Sequence, residues 1–314
     1  MRLGEVADPV AQSGEAVVDV EFAALNPADR YLSLGQYPAR PVLPHVLGRD
    51  GMGRISALGS GVSGFAVGQK VLIRRGETGV TRWGTFAQRV AVDAECLSPI
   101  PAGWSDAEAA GAALVYLTAW QALKQWGELP AGSVILITGA SGGVGVAALQ
   151  LAKCAGQVVI ALSRSSDKQA KLRVLGAEVV LSPEDADWKK KSRDALGGKR
   201  VDLAIDNIGG AFFPDVVESL ADGGRISVVG RLAGPVPQFN TASLLFHRLK
   251  IGGVAVGAYS RDENRAAWEM IVKALAQRGY KALVDSVWKF AELKEAFARL
   301  EGGPMGKVVL ETRV

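Results

Sequence analysis

A glycine-rich turn set between a strand pattern and a helix pattern constrains this 314-residue chain more than any other feature. Val134-Ile135-Leu136-Ile137 is wholly apolar, as in a strand covered on both faces. Thr138-Gly139-Ala140-Ser141-Gly142-Gly143 follows, and an apolar helical pattern then runs from Val144 to Lys153, ahead of Gly156. The same rhythm continues downstream. Val158 to Leu162 reads as a strand and Asp167 to Leu175 as a helix that Gly176 stops. Val201 to Ile205, Arg225 to Val229 and Lys250 to Val256 read as further buried strands. Strands alternating with helices build a parallel sheet with helices on both faces, so an α/β, doubly wound parallel sheet is expected over residues 109–260.

The flanks differ. Before Ser105, short strand patterns are separated by Gly and Ser turns. Val18-Asp19-Val20-Glu21-Phe22 alternates apolar and acidic residues, the period of a half-buried strand, and Gly53 to Ala57 and Lys70 to Ile73 read as further strands. A small barrel-like or sandwich domain is expected. Ser105-Asp106-Ala107-Glu108 has the spacing of a capping box and opens the helical region. After residue 260 come a helix (Glu263 to Gln277), a strand near Val284, a helix (Ala291 to Leu300) and a last strand, Val308-Val309-Leu310. These are expected to return to the first domain, so that 1–108 and 261–314 make one domain and 109–260 the other.

Composition excludes several classes of function. A net charge of +4 has no basic tract behind it; Lys189-Lys190-Lys191-Ser192-Arg193 is interleaved with Asp187 and Asp194, so no nucleic-acid partner is expected. The longest apolar stretch, Ala109 to Trp120, is too short for a bilayer, and Met1 to Glu5 is not the start of a secretory leader, so no membrane role is expected. Cys96 and Cys154 alone supply neither a disulfide framework nor a structural zinc site, and a reducing, cytoplasmic location follows.

The glycine turn fits three motifs. Read from Ala140 it is Ala-x-Gly-x-x-Gly, a dinucleotide-binding fingerprint in which the helix N-terminus receives a pyrophosphate. Ala140, Gly142, Gly143, Val144 and Gly145 are then the binding residues. The short-chain dehydrogenase pattern also matches, but none of Tyr31, Tyr37, Tyr116, Tyr259 and Tyr280 has the lysine that family needs four positions later. Gly139-x-Ser141-x-Gly143 resembles a serine hydrolase elbow, which needs a later acid and histidine. Only His247 follows Ser141, in a largely apolar run, and it reads as a structural histidine near the sheet end.

Cofactor type is written at the end of the second strand of the fold. An NAD site places a carboxylate there for the ribose hydroxyls. Here Ser163 takes that position, with Arg164 and Lys168 close by, so a 2′-phosphate is favoured and the expected cofactor is NADPH. Asp167 reads as a cap for the helix that follows.

An ordered set of motifs covers almost the whole chain. Asn26-Pro27-Ala28-Asp29-Arg30-Tyr31, Gly35-Gln36-Tyr37-Pro38 and Leu47-Gly48-Arg49-Asp50-Gly51-Met52-Gly53 lie in the first part. Gly68-Gln69-Lys70-Val71, Gly84-Thr85-Phe86-Ala87 and Thr118-Ala119-Trp120 follow, then Ala140 to Gly145, Asp206-Asn207-Ile208-Gly209-Gly210 and Gly306-Lys307-Val308-Val309-Leu310. In these the chain resembles the zinc-free quinone oxidoreductases, zeta-crystallin-like members of the medium-chain dehydrogenase/reductase superfamily. The resemblance implies a Rossmann domain inserted in a discontinuous GroES-like β-barrel catalytic domain. It implies NADPH-dependent reduction of a quinone or α,β-unsaturated carbonyl, with a small-molecule substrate and a homodimer formed through the strand at Lys250 to Val256. Asn26, Tyr31 and Tyr37 are the implied catalytic residues, and Thr118, Asn207 and Gly230 join the cofactor set. Zinc-dependent relatives carry Cys, His and Glu where this chain has Asn26, Arg49 and Asp50, so no metal is expected; Arg49 is expected to pair with Asp50 or Asp29. Two departures stand out. The family's opening strand and hairpin have little room before Val17, and Val179 to Pro183 lacks the tyrosine many relatives place near the 2′-phosphate. The other readings of the turn are a non-catalytic NADPH-binding protein and a serine hydrolase acting through Ser141.

Overall fold

The structure is a computed structural model and describes residues 2–74, 76–234 and 239–313; Met1 lies outside them. In chain order its first elements are β1 (Glu15–Ala24), α1 (Pro27–Ser33), β2 (Asp50–Leu58), β3 (Lys70–Ile73), β4 (Arg89–Asp93), β5 (Leu97–Pro99) and α2 (Asp106–Ala110). Next come α3 (Ala113–Lys124), β6 (Val134–Ile137), α4 (Gly143–Cys154), β7 (Val158–Leu162), α5 (Ser166–Val174), β8 (Val179–Leu181), α6 (Trp188–Ala195) and β9 (Val201–Asp206). The chain finishes with α7 (Phe213–Ser219), β10 (Leu220–Val228), α8 (Ala242–Phe246), β11 (Lys250–Gly253), α9 (Arg261–Arg278), β12 (Val284–Lys289), α10 (Leu293–Glu301) and β13 (Lys307–Glu311). Two compact units result, one of Met1–Leu114, Gly257–Glu269 and Lys281–Val314, the other of Val115–Val256 and Met270–Tyr280.

The first unit is built on a seven-stranded sheet in the order β12-β13-β1-β2-β3-β5, with β4 also on β1. This path has two ends, so among the described residues the expected barrel-like domain is a sheet that does not close on itself. β1 is long enough to serve three neighbours: residues 15–19 pair with β4, 22–24 with β13, and nearly its whole length with β2. With neighbours on both sides it is covered almost throughout, and its alternating acids are half-hidden ion-pair partners rather than a wet face. Asp19 lies opposite both Arg89 and Arg54; Arg89 Nε binds Asp19 at 3.0 Å and Arg54 Nε binds Glu21 at 3.1 Å. The inward residues Val18, Val20, Ile55, Val71, Ile73, Phe86, Phe297 and Leu310 make one core. In it the rings of Phe86 and Phe297 meet edge to face, 6.1 Å between centroids.

The second unit carries an all-parallel six-stranded sheet in the order β11-β10-β9-β6-β7-β8. Numbered within the sheet, that is 6-5-4-1-2-3, the doubly wound order in which ligands bind where the order reverses, beyond the carboxyl ends of the first and fourth strands. β6 and β9 flank that point. β6 is buried at every position, as its unbroken apolar sequence requires. Leu136, Ile160, Leu162, Ala204, Trp188, Phe213 and Ile226 form the core on one face. The expected capping box at Ser105 and Glu108 is present. α5, however, is capped by Ser165, whose hydroxyl accepts from the Lys168 amide; Asp167 is one residue inside the helix.

Phe297→Ala tests the first unit's core. Phe297 is 5% exposed and packs edge to face on Phe86, so its truncation is expected to cost about 3–5 kcal/mol in urea unfolding.

Candidate functional site

Four strand ends gather around the glycine turn of the second unit. The Ala140 amide donates to Leu162 O at 3.1 Å, which brings the turn beside Ser163 and Arg164 at the end of β7. On the other side, Thr138 Oγ1 donates to Asp206 Oδ1 at 2.7 Å and accepts from the Asn207 amide at 2.9 Å, joining the ends of β6 and β9. Asp206 is fully buried, takes the Ile208 and Gly209 amides on its carboxylate, and receives the Gly230 amide on its carbonyl at 3.2 Å. Sequence reading found Asn207 and Gly230 only by resemblance and missed Thr138 and Asp206 as the pair that holds the turn. The available signal was a polar residue closing each of two adjacent buried strands.

The turn itself is shaped for a ligand. Gly142 is the N-cap of α4 and provides no side-chain cap, and the first turn of α4 holds no acid. The N–H groups of Gly143, Val144 and Gly145 thus lack the side-chain acceptor a capping Ser or Asp would supply. Gly145 is required by the fold: a Cβ there would stand 2.5 Å from Gly139 O and 2.6 Å from Ala140 Cα. Gly142 is not, since a Cβ would meet only Gly139 O, at 3.5 Å. Nearby, Asn207 Nδ2 donates to Thr138 O at 2.8 Å while its buried Oδ1 has no partner. Ser163 is buried at the end of β7, Arg164 is exposed and Lys168 half-buried in the first turn of α5. No ion pair engages Arg164 among the described residues, and Thr118 is buried in α3. Uncapped amides, an unpaired amide oxygen and two cations with no carboxylate at the strand end fit a phosphorylated dinucleotide.

The hydrolase reading loses its histidine here. His247 Nδ1 sits 2.7 Å from Asp222, and the Gly223 amide donates to His247 O. Asp222 precedes Arg225, which lies level with Leu203, whereas Ile137 is level with Ile205. The His247–Asp222 pair is therefore at the amino end of the parallel sheet and Ser141 beyond its carboxyl end.

In the first unit, four buried charged residues and one amide form a closed network. Lys307 Nζ donates to Asn26 Oδ1 at 2.6 Å and to Asp50 Oδ2 at 3.0 Å, and Asn26 Nδ2 donates to the same Asp50 oxygen at 3.0 Å. Asp50 Oδ1 takes the Leu114 amide. Asp29 accepts from the Asn26 backbone N–H at 2.9 Å and from Arg49 Nε at 3.2 Å, so Arg49 pairs with Asp29 and Lys307 takes Asp50. Arg49 Nη1 reaches the Tyr37 hydroxyl at 3.0 Å, and its guanidinium lies 4.3 Å from that ring's centroid. The arginine is aimed by its own backbone. Gly48, at φ +102°, lets residues 46–48 lie against 84–86 through the Gly84, Thr85 and Phe86 amides; a Cβ on Gly48 would strike Thr85 and Phe86. Both predicted tyrosines are half-buried, and neither hydroxyl finds an acceptor among the described residues. Asn26, expected to face substrate, instead has its amide engaged within the network, and Lys307, whose role sequence reading missed, supplies the second cation. No group of three or more His, Cys, Asp and Glu able to hold a metal occurs among the described residues.

Comparison with known proteins agrees with this geometry. Residues 12–102 match the alcohol dehydrogenase GroES-like domain and 143–273 the zinc-binding dehydrogenase family. A solved NAD-dependent alcohol dehydrogenase is 31% identical, with a TM-score of 0.89 over 99% of this chain and 95% of that one. The chain belongs to the medium-chain dehydrogenase/reductase superfamily. Within that superfamily it is quinone-oxidoreductase-like: the quinone oxidoreductase of Rattus norvegicus is 28% identical over 98% of this chain and 92% of its own length. A mycobacterial member solved in complex with NADPH is 26% identical, with a TM-score of 0.88 over 99% of this chain and 95% of that one. No helix among the described residues is long and apolar enough to cross a membrane.

Two outcomes follow from this geometry. Gly145→Ala is expected to cost about 1–3 kcal/mol in urea unfolding, because the helix must move off Gly139 and Ala140, while Gly142→Ala costs under about 1 kcal/mol. Burial pushes the Asp29 carboxyl up from 3.8 to about 6, against the pull of Arg49 and Lys307. The folded protein then holds this proton more tightly than the unfolded chain, so Asp29's contribution to stability declines as pH rises from about 4 to about 6 and is level above, about 3 kcal/mol in all. Unfolding measured across that window in wild type and in Asp29→Asn checks it: the difference in slope should vanish above pH 7.

Proposed function

We propose that this chain is an NADPH-dependent reductase that passes hydride to a quinone or an α,β-unsaturated carbonyl without zinc. The observation that carries the reading is the strand end Ser163–Arg164, with Lys168 in the next helical turn, tied to the uncapped α4 amides through Ala140. The α4 amides would receive the pyrophosphate, Asn207 and Gly230 would flank the cofactor, and Arg164 and Lys168 would read a 2′-phosphate. Solved relatives name both NAD and NADPH. This chain's own residues decide for the phosphorylated form, because a carboxylate is missing where NAD sites need one.

When bound, the reduced nicotinamide supplies a hydride. Zinc does not fit the residues at the family's metal position: Lys307 already occupies the oxygens of Asn26 and Asp50, and Arg49 brings a second positive charge. Substrates that need no Lewis acid suit such a site, since an oxygen conjugated to the attacked carbon takes up the charge. Tyr37 and Tyr31 offer hydroxyls to that oxygen, and Asn26 holds the charge network rather than the substrate. The exposed edge at β11 is where a second copy would pair, as the family resemblance implies.

The test is NADPH oxidation against a panel of quinones and enones, together with titration of both cofactors. Replacing Arg164 and Lys168 by Ala should weaken NADPH about a hundredfold and leave NADH nearly unchanged, since each charge-assisted bond contributes about 1.5–3 kcal/mol. Adding Ser163→Asp should reverse the preference. Equal weakening of both cofactors would show that these cations support the fold. Tight NADPH binding without turnover on any quinone or enone would reduce the reading to a binding protein.

A further inference from the structure

We propose that Arg49 is a positioning residue for the reaction: by donating to the Tyr37 hydroxyl oxygen, it leaves that phenol with only its own O–H to offer, aimed at the substrate oxygen that gains charge. This rests on the reductase reading above and adds a role that residue type alone does not disclose.

A guanidinium can only donate, so in the 3.0 Å contact between Arg49 Nη1 and Tyr37 Oη the tyrosine oxygen is the acceptor. The phenol proton then points elsewhere, and no described residue accepts it. A half-buried O–H with no internal acceptor is a donor held in reserve. Arg49 cannot easily rotate away. Its Nε is held by Asp29, its Nη2 reaches Ala28 O at 3.4 Å, and its guanidinium lies over the Tyr37 ring. The tyrosine is fixed from the other side, where Arg40 Nη1 bridges the carbonyls of Gly35 and Tyr37 at 2.8 and 2.6 Å. Buried Asp29 beneath the guanidinium keeps the arginine in place rather than free to meet the substrate itself.

The chemistry uses this arrangement at one moment. As hydride forms a C–H bond at the β-carbon, the π pair moves onto the carbonyl oxygen, and water supplies the proton that completes the reduction. While that oxygen is an anion, the Tyr37 O–H donates to it, with a cation behind the phenol. Donors placed in advance where charge develops are the strongest contribution a side chain can make to such a step. Arg49 thereby serves, through Tyr37, the charge-stabilising purpose that a bound metal would serve directly.

The experiment compares wild type, Tyr37→Phe, Arg49→Lys and the double variant with NADPH and 1,4-naphthoquinone, whose C2=C3 bond is conjugated to both carbonyls. Arg49→Lys keeps a positive charge beside Asp29, so the fold survives, but a lysine lacks the fork that reaches Asp29 and Tyr37 together. Tyr37→Phe should lower kcat by about a hundredfold and Arg49→Lys by about tenfold, while KM for NADPH stays within about twofold. The double variant should be no slower than Tyr37→Phe alone, because the two act as one unit. Binding of 4-nitrophenolate gives a second readout independent of turnover: its visible band should shift to shorter wavelength in wild type, less in Arg49→Lys, and not in Tyr37→Phe. If Arg49→Lys slows the enzyme equally with and without Tyr37, or leaves kcat unchanged, the proposal is overturned. If wild type turns over no quinone, the reductase reading has failed, and the 4-nitrophenolate shift alone then decides whether Arg49 governs the phenol.

Discussion

Four charges buried in one place must neutralise one another, and much of the first unit is arranged to let them. Asp29, Arg49, Asp50 and Lys307 are each at most 5% exposed. Removing any one would leave its partner charged and unpaired, at a cost of about 3–5 kcal/mol. The four come from the start of α1, the start of β2 and the start of β13, segments as far apart in sequence as Asn26 and Lys307. The network thus fastens the last strand to the first helix, alongside the Leu25 amide bonded to Val308 O. Gly48 and the strip from Gly84 to Phe86 make sense in this light: they fix the backbone that aims Arg49 inward.

The second unit solves the opposite problem. Its central strand β6 is wholly apolar and buried, and uncapped amides and an unpartnered amide oxygen lie beyond its carboxyl end. Asp206 and Thr138 are spent on binding neighbouring loops together, so the strand ends stay in register without closing over the α4 amides. A helix start without a cap would ordinarily be a defect. Next to Arg164, Lys168 and the unpartnered Asn207 Oδ1, it is the feature on which the proposed phosphate site rests.

Much of this was legible in the sequence where the signal is local. The apolar runs of β6, β7 and β9, the glycine turn and the Ser105 capping box depend on neighbours within a few residues, and the structure has them where the pattern puts them. Lys250 to Val256, by contrast, expected as a buried strand, is the short and largely exposed edge strand β11. What was hidden depends on partners distant in sequence. The alternation in β1 suggested a wet face, but pairing with β2, β4 and β13 covers it and turns its acids into ion-pair partners. Asn26 looked like a substrate ligand because nothing nearby reveals Lys307, 281 residues later. Lys307 itself was visible only as part of the motif Gly306-Lys307-Val308-Val309-Leu310, with nothing beside it to name its partners. Arg49 had two candidate partners, and no spacing rule distinguishes Asp29 from its neighbour Asp50; packing does. The capping of α5 by Ser165 rather than Asp167 is a two-residue shift of the kind helix starts commonly show.

The central claim is that cations and hydroxyls of the chain itself occupy the position where many members of this superfamily use a metal. The most direct measurement is elemental analysis of the purified protein after dialysis against a chelator, made on the same sample whose NADPH-dependent quinone reduction is assayed. The account predicts zinc far below one per chain with turnover unchanged by the chelator. About one zinc per chain, released together with activity and restored together with it, would contradict the account at its root.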